Sequence, residues 1–250
     1  MSLQESMVKS GHFFFRWRSY VPLLFIAPLI LAFEESAQME YILGDNVEDL
    51  FVLFSFIISL IGLGIRCFTV GFIPGRTSGR NTTEQRADFL NTTGMYSIVR
   101  NPLYLGNFII ILGVMLSIKV WWLALIFTLA FFIYMERIVL VEENYLHEKF
   151  QSSYNEWRKQ TPALIPDFSL WKNPTLSFSW RTVLRKEYPG LLGVSTIFII
   201  MHFVFDVIAD RETLNEWFSH DYPAIIAYVI IASLCLVLRF LKKNTSVLKI

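Results

Sequence analysis

Long apolar runs separated by short polar stretches dominate the pattern of this chain. The runs are Tyr20–Phe33, Leu50–Ile73, Leu103–Ser117, Val120–Tyr134, Gly190–Ile208 and Tyr222–Leu241. A helix needs about twenty apolar residues to cross the hydrocarbon of a bilayer, and the second, fifth and sixth runs meet that length. The first is short and carries Pro22 and Pro28, which predicts a kinked or re-entrant segment. The third and fourth predict a hairpin turning at Ser117–Lys119. Beyond the fourth run the period changes. Leu146, Phe150, Tyr154 and Trp157 recur at steps of four and three, while Glu148, Lys149, Glu156 and Arg158 fall elsewhere. That spacing predicts an amphipathic helix ending before Pro162, followed by an exit stiffened by Pro162 and Pro166. The expected fold is all-α: a polytopic membrane protein of about six transmembrane helices, with a C-terminal amphipathic helix after the fourth.

Composition agrees. The 250 residues are 54% hydrophobic and 16% aromatic, with a mean hydropathy of +0.47, too apolar for an ordinary soluble domain. A net charge of +1 gives no reason to expect a nucleic-acid partner. Cys67 and Cys235 both lie in apolar runs, so neither a disulfide framework nor a zinc site is indicated. Arg16 and Arg18 precede the first run, which reads as an uncleaved anchor.

The distribution of charge orients the spans. The loop Glu34–Asp49 holds six acidic residues and no Lys or Arg, and the loop Ala209–Asp221 has only Arg211 as a base. Lys119 alone marks the hairpin turn, and the other basic residues alternate with these acidic loops. Six crossings with both termini on the basic, cytoplasmic side follow. The expected division is N-terminal membrane helices at 1–70, a core at 71–168, and a linker with a terminal hairpin at 169–250.

Chemistry concentrates in TTGMYSIVRNPLYLG, Thr92 to Gly106, and in the pair Glu142-Glu143 one hairpin later. Pro102 suits the first turn of a helix and Asn101 its N-cap. The free amides of such a terminus favour a carboxylate or phosphate, and Arg100 adds a fixed charge. An interfacial belt of Arg and Tyr accounts for the same residues. A carboxylate accepts hydrogen bonds from a ribose diol, and Tyr96 and Tyr104 offer aromatic faces to a sulfonium. Together these groups match S-adenosylmethionine better than a metal. Glu142, Glu143 and His147 make a poor ligand set, and no metal is expected there.

The Thr92–Gly106 segment, followed by EENYLHEKFQSSYNEWRKQTPALIP, resembles the membrane methyltransferases of the isoprenylcysteine carboxyl methyltransferase and phospholipid methyltransferase superfamily. The resemblance covers about Gly71 to Phe168. It implies a cytoplasmic pocket for S-adenosylmethionine held between helix ends. It also assigns Asn101, Pro102, Leu103 and Tyr104 to a cofactor-binding turn beside Arg100, with Tyr96 as a further contact. Glu142 is implied as a cofactor contact and catalytic residue, with Glu143 supporting it. Asp88 to Asn91 fall where the family's preceding loop lines the cofactor, which makes Leu90 and Asn91 contacts. Arg137 lies one position off an arginine that the family places near the acceptor. Asn101 stands where the family has His, so it cannot act as a base. The implied acceptor is the headgroup of a membrane lipid or lipidated molecule, with Arg76, Arg80 and Arg86 as further anion ligands and no obligate protein partner. A sterol-reductase-like enzyme using NADPH and a non-catalytic membrane scaffold are the competing readings. His202 and Asp206 share a helix face and are read as an interhelical hydrogen bond or a far-surface feature, and Arg66 as a snorkelling residue.

Overall fold

The computed structural model describes residues 2–17, 20, 27–32, 35–36, 44–74, 87–209 and 213–248. Half of the first apolar run, Pro22 included, falls outside them, as do Arg76, Arg80, Arg86 and Arg211. Among the described residues the regular structure is entirely helical. The helices are α1 (Leu3–Trp17), α2 (Asp45–Gly71), α3 (Met95–Ile98), α4 (Pro102–Leu116), α5 (Trp121–Gln160), α6 (Trp180–Phe203), α7 (Leu214–His220) and α8 (Tyr222–Asn244). A π-helical turn, Val204–Ala209, extends α6.

Four helices among the described residues are long and apolar enough to cross a membrane: Val47–Gly71, Trp121–Gln160, Trp180–Val207 and Tyr222–Asn244. The third run gives α4, a helix of 15 residues. At 1.5 Å per residue it is ~23 Å long, less than the ~30 Å of hydrocarbon. The expected fourth span and the amphipathic helix are drawn into one 40-residue helix, α5, whose backbone leaves helical geometry only at Gln151 (φ 45°, ψ −113°). In its last turns Tyr154 and Trp157 are buried, while Glu156 and Arg158 are exposed.

Close backbone approach holds α4 on α2. A Cβ on Gly106 would meet Cγ of Arg66 at 2.5 Å and the Gly62 carbonyl oxygen at 2.8 Å. One on Gly113 would meet the Ser55 carbonyl oxygen at 2.5 Å and the Ser59 amide nitrogen at 2.8 Å. Small residues permit such contact between apolar helices, and a hydroxyl adds a hydrogen bond across it. Here Ser59 Oγ donates to the Ile110 carbonyl at 2.8 Å. Because backbone blocks Gly113, Gly113→Ala should destabilise the protein by about 1–3 kcal/mol, measured as a fall in thermal stability in detergent.

Phe108 and Phe127, Phe131 and Phe132 fill the seam between α4 and α5. At the turn joining these helices, Lys119 (φ 66°) pairs with Glu48 at 2.9 Å, and Trp122 Nε1 donates to Glu35 at 2.6 Å. The sole base of the hairpin turn therefore meets the acidic loop at one end of the bundle.

At the other end, the chain after α5 folds back as a strap over residues 94–100. The Arg100 amide donates to the Pro162 carbonyl at 2.8 Å, the Asp167 amide to Ile98 at 2.9 Å, and the Gly94 amide to Lys172 at 2.8 Å. Pro162 and Pro166 suit this course, since their fixed φ disfavours a further helix. The strap delivers Ser179, which donates its amide to the Gly71 carbonyl at 2.8 Å and caps α6 by accepting from Thr182.

Candidate functional site

Pro102 opens α4, and Asn101 occupies the N-cap position without a capping hydrogen bond. The expected capping role is thus corrected. The Asn101 side chain donates instead from Nδ2 to the Ala163 carbonyl at 3.1 Å, because the strap offers an unpaired carbonyl where solvent would otherwise be. One turn into α4, Tyr104 donates its hydroxyl to Glu142 Oε1 at 2.9 Å. Two residues 38 positions apart, on opposite legs of the hairpin, therefore meet at its open end.

Next to them, Arg100 Nη2 lies 3.2 Å from Glu143 Oε1, and Arg158 Nε lies 3.8 Å from Glu143 Oε2. Arg100 Nε, Glu143 Oε1 and the Tyr154 hydroxyl are each buried without a hydrogen bond. Tyr154 is fully buried beside Glu143. Three unsatisfied buried polar atoms in one cluster are unusual, since such groups normally find partners. They match a ligand rich in amine, carboxylate and hydroxyl groups, which is the chemistry of an amino-acid nucleoside. Outside the cluster, a groove of about 800 Å³ runs along the strap, lined by Arg100, Arg158, Lys159, Pro162, Ile165 and Phe168 among others.

Tyr96 lies in α3, and its carbonyl accepts from Trp157 Nε1 at 2.9 Å. Burial pushes its phenol well above the ordinary range, the Glu142 charge adds to this, and Arg66 opposes it. Tyr96 is accordingly a neutral aromatic donor within electrostatic reach of both residues. The neutral form is the one the fold prefers. Stability is therefore full below the ordinary phenol pKa of about 10 and is lost as pH rises beyond it. Tyr96→Phe should lose less stability than the wild type above about pH 10, as read by thermal unfolding.

Leu90 and Asn91 are half-buried in the irregular segment leading to α3, and Leu103 is half-buried in the first turn of α4. Arg137 is not brought to the cluster. Five residues from Glu142 along one helix turn it by ~140°, and its backbone carbonyl packs against Gly11 of α1. Among the described residues Arg137 has no ion pair or hydrogen bond with the Tyr104–Glu142 or Arg100–Glu143 groups.

The snorkelling role expected for Arg66 is also corrected. Arg66 donates Nε and Nη2 to the two oxygens of Glu187, each at 2.9 Å, and Nη1 to Asn107 Oδ1 at 2.7 Å. The fork ties α2, α4 and α6 together at one depth. A signal for it was present: an arginine inside an apolar run calls for a partner, and Glu187 stands just before the fifth run, separated from it by Tyr188 and Pro189.

Comparison with known proteins covers the same residues. The family model described as phospholipid methyltransferase matches residues 58–153, which include Tyr96, Tyr104, Glu142 and Glu143. A protein-S-isoprenylcysteine O-methyltransferase of Schizosaccharomyces pombe is 36% identical over 31% of this chain and 33% of its own length. A cobalt-zinc-cadmium resistance protein of Cupriavidus metallidurans, CzcN, is 30% identical over 61% of this chain and 68% of its own. The chain belongs to the isoprenylcysteine carboxyl methyltransferase and phospholipid methyltransferase superfamily. A nickel-cobalt-cadmium resistance protein of Alcaligenes xylosoxydans, NccN, is 34% identical over 44% of this chain. The matches to NccN and to the yeast enzyme span only 50% and 33% of those proteins. No solved structure matches the chain. The family match ends at Ser153, so Glu187 and the hairpin of α6 and α8 lie beyond it.

Proposed function

We propose that this protein transfers a methyl group from S-adenosylmethionine to the headgroup of a membrane-resident lipid or lipid-modified acceptor, at a phosphate or carboxylate oxygen rather than an amine. The observation that carries this reading is the Tyr104–Glu142 hydrogen bond, set beside the unsatisfied Arg100, Glu143 and Tyr154 atoms. Family membership supports it.

The turn Arg100 to Tyr104, with Leu90, Asn91, Tyr96, Glu142 and Glu143, would hold the cofactor. When bound, it supplies an electrophilic methyl group on a sulfonium. Tyr104 fixes the Glu142 carboxylate, which would accept hydrogen bonds from a hydroxylated ligand. Arg100 offers a cation to a carboxylate, and Tyr96 a neutral ring to a positive charge. An anionic oxygen is already nucleophilic at neutral pH, so the site needs no strong base, and Asn101 in place of His is compatible with that. Alignment of the two reactants can supply up to about 7–11 kcal/mol, and the buried setting strengthens every fixed charge. Arg137, on another face of α5, would serve the acceptor rather than the cofactor.

In this reading α4 and the first apolar run complete six crossings, both termini and the site face the cytoplasm of a bacterium, and the core is 71–168. Methylation of an anionic headgroup would remove a surface charge that attracts divalent cations, a change in keeping with the metal-resistance names of NccN and CzcN. The test is incubation of purified protein with labelled S-adenosylmethionine and a total lipid extract, with mass spectrometry of the product, alongside thermal-shift assays. Label in a lipid and stabilisation by S-adenosylhomocysteine support the proposal. Stabilisation by NADPH alone would favour a reductase, and no response to either a scaffold.

A further inference from the structure

A second constellation lies at the opposite end of the bundle. Glu187 marks the depth of the Arg66 fork on α6, and His202 follows fifteen residues later, ~22 Å along the helix axis. His202 Nδ1 is 2.5 Å from Asp206 Oδ2, and His202 Nε2 is 3.4 Å from Asp221 Oδ1. One ligand atom from each of the three residues lies within 4.8 Å of the others. The side chains are only 16%, 14% and 15% exposed. They come from three local structures: α6, the π-helical turn and the N-terminus of α8. Such π turns often sit at functional positions.

The two contacts of the imidazole differ in kind. The short one joins Nδ1 to Asp206, and the longer one sets Nε2 opposite the Asp221 carboxylate across a wider gap. A charge-assisted hydrogen bond would close that gap to about 2.7–2.9 Å. The observed 3.4 Å is instead close to the ~3.3–3.4 Å expected between two tetrahedral ligands whose bonds are about 2.0–2.1 Å. A ligating histidine characteristically donates its other ring N–H to a carboxylate, which is the relation of His202 to Asp206. Among the described residues, acidic groups gather around the site. The Asp206 carboxylate faces Asp221, Asp49 is within electrostatic reach, and Lys119 is engaged by Glu48 at 2.9 Å.

We propose that His202 Nε2 and Asp221 bind a divalent first-row transition-metal ion, with Asp206 orienting the imidazole and lending its second oxygen. Imidazole with carboxylate suits zinc, cobalt or nickel rather than magnesium or calcium. The remaining coordination positions fall to water. The site is distinct from the Tyr104–Glu142 cluster and does not depend on methyl transfer.

The full-length chain, purified in detergent and stripped with a chelator, should bind one equivalent of Co²⁺ by calorimetry. Binding should bring visible d–d absorption and a higher unfolding temperature. His202→Gln and Asp221→Asn should each weaken binding at least tenfold, and Asp206→Asn about 10–100-fold as an orienting residue. Circular dichroism and cooperative unfolding would establish that the variants fold. A folded wild-type chain with no stoichiometric Co²⁺ would overturn the proposal and leave a protonated His202 bridging two carboxylates. Undiminished affinity in folded His202→Gln and Asp221→Asn would overturn it equally.

Discussion

Arg66→Ala should destabilise the protein by about 3–5 kcal/mol, the range for breaking a buried ion pair by removing one partner. Glu187 has a side chain only 4% exposed and Arg66 one 16% exposed, so the carboxylate left behind has little access to water. Glu187→Ala should cost somewhat less, because Asn107 still accepts from the Arg66 guanidinium. The double replacement Arg66→Met with Glu187→Leu should recover most of the loss. It removes both charges together and keeps an apolar stem against Gly106, where the Arg66 Cγ now packs. Reversible unfolding in mixed micelles, followed by circular dichroism, measures all four proteins. If Arg66→Ala and Glu187→Ala each cost under about 1 kcal/mol, the fork is no more than a surface-type pair.

The second large effect is expected on cofactor affinity. Glu142→Gln keeps the shape of the side chain and removes its charge, and hydrogen bonds to charged groups are worth about 1.5–3 kcal/mol. Affinity for S-adenosylhomocysteine should therefore fall roughly 10–150-fold. Tyr104→Phe keeps the ring and deletes only the hydroxyl that holds Glu142, so a loss of about tenfold is expected. Because these two residues touch, the double variant should fall short of the summed losses by at least ~0.5 kcal/mol. Calorimetric titration of the four proteins decides the matter. Wild-type affinity in both single variants would remove this pair from the cofactor site, even if the fold were intact.

Much of this organisation was legible in the residues before any coordinates. Pro102 marked the start of α4, Ser117–Lys119 the hairpin turn and Pro162 the end of the long helix, because proline and a polar turn break apolar helices in predictable ways. The approach of Thr92–Gly106 to Glu142-Glu143 across the hairpin was readable from their spacing, though the partner of each side chain was not. The Asn101 cap was not foreseeable as a contact to Ala163, since that carbonyl arrives from 62 residues away along the strap. Arg137 and Glu142 lie five positions apart on one helix, and 100° per residue sets the two on different faces of α5.

Apolar runs and their polar interruptions were enough to establish a helical membrane protein, because burial in lipid imposes length and local hydrogen bonding on each helix separately. Which charges meet was decided only in three dimensions. Arg66 with Glu187, Tyr104 with Glu142, and His202 with Asp221 depend on how helices rotate and how closely small residues let them approach, and no local pattern encodes a partner 121 positions away.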